Sequence, residues 1–102
     1  MADTASGEPV VRLTAWVRGH VQGVGFRWWT RSRALELRLT GYAANHTDGR
    51  VCVVAEGTRE RTEALLALLR GQEFWPQRPG QVDEVTADWS VPAEGLTGFV
   101  ER

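Results

Sequence analysis

The sequence predicts an α+β fold of order β-α-β-β-α-β, an antiparallel sheet with two helices on one face. Three observations point to it. Apolar and polar residues alternate with period two over 11–18 and again over 82–91. Apolar residues recur at helical spacing over 26–37 and 64–69. Asp48-Gly49 separates two strand-like runs with residues that accept positive φ easily.

Each element follows in order. Val11, Leu13, Ala15 and Val17 alternate with Arg12, Thr14, Trp16 and Arg18, the signature of a strand with one apolar face. A glycine-rich loop comes next. Phe26, Thr30, Ala34 and Leu37 then mark one face of a helix. Tyr42–Asn45 is a short strand, Thr47-Asp48-Gly49 a hairpin turn, and Arg50–Glu56 the return strand. Gly57-Thr58 opens a second helix with Thr58 as N-cap and Ala64, Leu65, Leu68 and Leu69 as its buried stripe. Phe74–Gln81 reads as a loop, punctuated by Pro76, Pro79 and Gly80. Val82–Val91 is a strand with Val85, Ala87, Trp89 and Val91 on one side, and a terminal strand includes Phe99 and Val100. This is the split β-α-β, ferredoxin-like arrangement. Residues 1–9 are small and polar and read as a flexible tail before a domain over 10–102. The architecture alone names no function.

Composition narrows the classes. One cysteine, Cys52, leaves neither an internal disulfide nor a Cys-rich zinc site, so a reduced, cytoplasmic setting is expected. No apolar run reaches the length of a membrane span, and no membrane partner is expected. A net charge of −1 and a pI near 6.1 argue against broad nucleic-acid binding. All twelve basic residues are arginine. Without lysine there is neither a Walker-type phosphate loop nor a Schiff-base enzyme. The charge is uneven: Arg12, Arg18, Arg27, Arg31, Arg33 and Arg38 face only Glu36 over 11–38. A locally positive half steers small anions.

Two segments carry chemistry. Gly19 to Arg27 reads Gly-His-Val-Gln-Gly-Val-Gly-Phe-Arg, a loop of little bulk ending in a guanidinium where a helix begins. Such a loop can turn its N–H groups toward one point, the helix start adds free N–H groups and partial positive charge, and arginine adds a fork that matches phosphate oxygens. Together they describe a seat for a dianion. Val21, Val24 and Phe26 are expected to tuck inward, with Gln22 and the N–H groups facing the ligand. Asn45, just before the hairpin, offers an amide that can hold a water; it is equally a turn former. Asp48 reads as hairpin chemistry, since a free carboxylate beside a bound phosphate meets like-charge repulsion. His20 and His46, lacking nearby paired carboxylates or thiolates, make a poor metal site. The hydroxyls of Thr30, Ser32 and Thr40 have no recognisable base partner. Trp28 and Trp29 are adjacent, so one is expected inside and the other at the surface or rimming the site.

The first segment, with Gly-Tyr-Ala-Ala-Asn-His-Thr-Asp-Gly-Arg-Val over 41–51, closely resembles the acylphosphatases across about residues 9–102. The resemblance implies hydrolysis of a carboxyl–phosphate anhydride to a carboxylate and inorganic phosphate, by a monomer, with no cofactor and no metal. It implies catalytic roles for Arg27 and for Asn45, which orients the attacking water. It places the phosphoryl group against His20, Val21, Gln22, Gly23, Val24, Gly25 and Phe26. Three departures from the family pattern stand out. Leu37-Arg38-Leu39 replaces Leu-Gly-Leu, which asks Arg38 for a left-handed conformation at roughly 1 kcal/mol. Tyr42-Ala43-Ala44-Asn45 replaces Trp-Val-x-Asn, and Cys52 stands where an acidic residue is common. Two other readings are a non-catalytic ferredoxin-like module for RNA or protein, and an accessory domain handling carbamoyl phosphate.

Overall fold

The computed structural model describes residues 8–72, 77–93 and 96–102. Its elements are β1 (Val10–His20), α1 (Phe26–Glu36), β2 (Thr40–Asn45), β3 (Val51–Thr58), α2 (Arg59–Leu69), β4 (Gln81–Ser90) and β5 (Phe99–Glu101). The strands form one sheet in the order β4-β1-β3-β2-β5. β1 runs antiparallel to β3 and β4, and β2 antiparallel to β3. The expected α+β arrangement is thus present, with one addition: β5 joins β2 in parallel. Parallel neighbours need a crossover. Here the chain leaves β4 at one edge of the sheet and reaches β5 at the other.

The alternation in β1 becomes two faces. Leu13, Ala15 and Val17 are fully buried and share one core with Phe26, Trp29 and Ala34 of α1 and Leu65, Leu66 and Leu69 of α2. α1 lies over β2 and β5, and α2 over β1 and β3. The opposite face carries Arg12, Thr14, Trp16 and Arg18. On that face Glu56 is buried beside Arg12, whose Nε donates to its carboxylate at 2.7 Å. The same carboxylate accepts the N–H of Ala93 at 3.1 Å. A buried charge needs such partners, and these also pin the connection leading to β5.

Thr58 caps α2 as expected, its hydroxyl accepting the Arg61 N–H at 3.3 Å. The buried stripe is corrected: it is Thr62, Leu65, Leu66 and Leu69, while Ala64 and Leu68 are only half-buried. Thr62 can sit at zero exposure because its hydroxyl donates to the carbonyls of Thr58 and Arg59, both at 3.0 Å. In β4 Val85, Ala87 and Trp89 share the core side, but Val91 lies beyond the strand and is exposed. The expected loop over 74–81 is described only from residue 77 onward, and residues 1–7 of the expected tail lie outside the described residues. Arg38 does take the left-handed conformation, with φ 59°. Its N–H donates to the Leu35 carbonyl and that of Leu39 to the Ala34 carbonyl, which closes the end of α1.

Candidate active site

The glycine loop sits where β1 leaves the sheet, just after the β1–β4 register shifts between Arg18 and Gly19. Gly23 and Gly25 have φ of 76° and 83°, a region that costs an L-residue about 1–2 kcal/mol. A Cβ on either would meet nothing within 4 Å. Glycine is therefore required here by backbone direction, and that side of the loop is open. The direction matters because of the N–H groups. From Gln22 through Trp28 none makes a main-chain hydrogen bond of good geometry to a described residue. The first intrahelical bond runs from the Trp29 N–H to the Gly25 carbonyl at 3.0 Å. The unpaired donors and the positive end of α1 thus share one short stretch of chain.

Val21 and Phe26 are 1% exposed and Val24 packs against the core. These side chains hold the loop down, so what they can offer a ligand is main chain. Gln22 reaches across instead: its Nε2 donates to the carbonyls of His46 at 2.7 Å and Arg50 at 3.1 Å. This amide ties the loop to the hairpin that follows Asn45. His20, at the end of β1, is exposed and pairs in the ladder with Gln81.

Arg27 is half-buried in the first turn of α1, and its Nη1 donates to the Arg102 carbonyl at 2.7 Å. The same carbonyl accepts the Asn45 N–H at 3.2 Å, and the Arg102 N–H returns a bond to the Ala43 carbonyl at 2.7 Å. One oxygen beyond β5 therefore links the two residues singled out from sequence. Only one of the five guanidinium donors of Arg27 is engaged this way. The Asn45 side chain is exposed and has no hydrogen-bond partner among the described residues.

The neighbouring polar groups are committed elsewhere. Asp48 accepts the Arg50 N–H at 3.0 Å and the Arg50 Nε at 2.8 Å. The Arg50 N–H above all holds its carboxyl below the usual value, as expected for a turn residue and not a base. The His46 ring stands edge-on to Trp16, with centroids 4.5 Å apart. His20 and His46 join no cluster of three potential metal ligands among the described residues. Trp29 is buried against Phe26 while Trp28 is exposed. Cys52 is buried in β3, and burial pushes its thiol up.

Main-chain N–H groups without main-chain partners among the described residues, a helix N-terminus and a guanidinium with further donors suit a tetrahedral dianion. An unengaged amide close by suits a small neutral molecule such as water. Sequence reasoning missed Arg102, because it acts through a main-chain carbonyl that no residue type announces. Gln22, expected to face a ligand, has its amide on the His46 and Arg50 carbonyls, where it braces the loop.

The chain is similar to known proteins over most of its length. The acylphosphatase family model matches residues 13–101. An acylphosphatase from Mycobacterium avium (strain 104) is 72% identical over 95 residues, covering 93% of this chain and 98% of that protein. The crystal structure of an acylphosphatase from Bacillus subtilis superposes with a TM-score of 0.79 at 27% identity, covering 90% of this chain and 98% of that one. An acylphosphatase structure from Coxiella burnetii gives 0.76 at 33% identity, over 92% and 94% of the two chains.

Proposed function

This chain belongs to the acylphosphatase family, and on that premise we propose that it hydrolyses acyl phosphates by means of Arg27, the loop N–H groups and Asn45. The observation that carries this reading is that the N–H groups from Gln22 to Trp28, in the stretch that carries Arg27, make no main-chain bond of good geometry among the described residues. Those donors meet the phosphoryl oxygens and spread their charge. The Asn45 amide holds a water in line with the departing oxygen. The water oxygen bonds to phosphorus, the bond from phosphorus to the acyl oxygen breaks, and the carboxylate leaves with the electron pair. One water proton passes to a phosphoryl oxygen of the substrate itself.

The leaving group explains why so few groups suffice. A carboxylate is stable once released, so nothing need protonate it. Arg27 and the N–H groups answer the phosphoryl charge, a role that a metal ion fills at other phosphoryl-transfer sites. Asp48, paired with Arg50, takes no part in proton transfer. The substrate is a small molecule, and the protein acts as a monomer in the cytoplasm without nucleic acid.

The test is phosphate release from benzoyl phosphate against release from a phosphate monoester such as p-nitrophenyl phosphate, with and without a chelator. Rapid release from the first, almost none from the second and no chelator effect are expected. Equal rates on both, or activity that chelation removes and a divalent metal restores, would refute the mechanism.

A further inference from the structure

The described aromatic residues other than Trp28 are covered in one of two ways. Trp29 and Phe26 are buried against each other, and Phe99 lies in the core. The rest carry a guanidinium: Arg50 lies 4.2 Å from the Trp16 centroid, Arg59 3.8 Å from that of Trp89 and Arg102 3.9 Å from that of Tyr42. Trp28 has neither cover among the described residues and is 60% exposed. An indole left bare loses the apolar burial and stacking that make tryptophan worth placing in a fold. Its position offers a reason. Trp28 directly follows Arg27 in the first turn of α1. Helical side chains lean toward the N-terminus and cover the turn before their own Cα. The turn before Trp28 is the loop of Gly23 and Gly25, whose open side has no atom within 4 Å of where a Cβ would stand.

We infer that Trp28 is the platform for the acyl half of the substrate and favours flat, apolar acyl groups. This rests on the acyl-phosphate reading above. With the phosphoryl group against the N–H groups of the loop, the acyl group leaves by the open side, and the indole flanks that exit. An aromatic acyl group stacks on it; an acetyl group is too small to cover it.

The test compares kcat/KM for benzoyl phosphate and acetyl phosphate in the unaltered protein and in Trp28→Ala, Trp28→Gln and Trp28→Phe. Alanine is the best helix former and glutamine nearly as good, so if one variant misfolds the other still reports. The benzoyl-to-acetyl ratio should fall about tenfold in the Ala and Gln variants and be largely kept in Phe, a size set by one aromatic contact. Inhibition by inorganic phosphate should stay within about twofold, since the seat is untouched. An unmoved ratio, or an equal loss on both substrates with weaker phosphate inhibition, overturns the inference. If the unaltered protein releases phosphate from neither substrate, the hydrolase reading itself fails, and with it the inference.

Discussion

Arg27 and Asn45 should fail in different ways when removed. Arg27 meets the phosphoryl group before and during the reaction, so Arg27→Ala removes contacts from both states. With one donor on the Arg102 carbonyl, the guanidinium still has a pair to offer the anion. Two charge-assisted bonds at about 1.5–3 kcal/mol each amount to a loss of roughly 10²–10⁴ in kcat/KM. Phosphate inhibition should weaken in step. Arg27→Lys should not rescue it, because one ammonium cannot hold the carbonyl and also present a planar pair. Asn45 is different. Its side chain holds nothing else among the described residues, so Asn45→Ala should leave stability within about 0.5 kcal/mol. It should lower kcat by about 10²–10³, or ~3–4 kcal/mol, and leave phosphate inhibition unchanged. Steady-state kinetics, the phosphate inhibition constant and Tm for the three variants decide it. Loss of phosphate binding with kcat intact in Asn45→Ala, or both retained in Arg27→Ala, refutes the division of roles.

Further outcomes follow from the fold. Arg38→Gly relieves the left-handed arginine after α1 and should stabilise the protein by about 1 kcal/mol, raising Tm by roughly 4–8 °C in thermal melts. Glu56→Ala leaves the Arg12 guanidinium and the Ala93 N–H without their shared carboxylate, and should cost about 2–3 kcal/mol in urea unfolding. Burial raises the Cys52 thiol, so the thiol form is favoured by folding: that contribution is full below the ordinary thiol value and is lost as pH climbs through the raised one. Iodoacetamide at pH 7.5 should accordingly leave Cys52 unlabelled until urea unfolds the chain, as read by mass spectrometry, and leave activity intact.

What the sequence showed and what it hid have physical causes. β1 was legible because one face of it is fully apolar, and the hairpin because Asp48-Gly49 is specific turn chemistry. The register of α2 was not, because Thr62 counts as polar in any periodic pattern yet satisfies its hydroxyl within its own helix. The parallel pairing of β5 was hidden for another reason: three residues set no local signal for which edge they join. At the candidate site, the glycine spacing was readable because the positive φ of Gly23 and Gly25 needs that residue type, and the roles proposed for Arg27 and Asn45 rest on side-chain chemistry that the sequence displays. The brace from Gln22 and the shared carbonyl of Arg102 end on main-chain oxygens, which every residue carries. The Leu37-Arg38-Leu39 departure was legible as strain and is present as such. The Trp28–Trp29 pair could be divided from sequence into one inside and one outside, but only the covered state of the other rings makes the bare one informative.

Among the described residues the cations laid on rings are all guanidinium groups: Arg33 on Trp29, Arg50 on Trp16, Arg59 on Trp89 and Arg102 on Tyr42. The chain has no lysine to use in their place. An acyl phosphate is also an acylating agent. A free ε-amine attacks its acyl carbon, phosphate departs, and a neutral amide stands where a cation was, so nothing charged is left to attract the ring face. Gln22 bonds the Arg50 carbonyl and Arg27 the Arg102 carbonyl, so two of these arginines adjoin the candidate site through their main chains. A guanidinium stays protonated at any working pH and has no lone pair to offer. The cations laid on the described rings are therefore of a kind that such an anhydride does not neutralise.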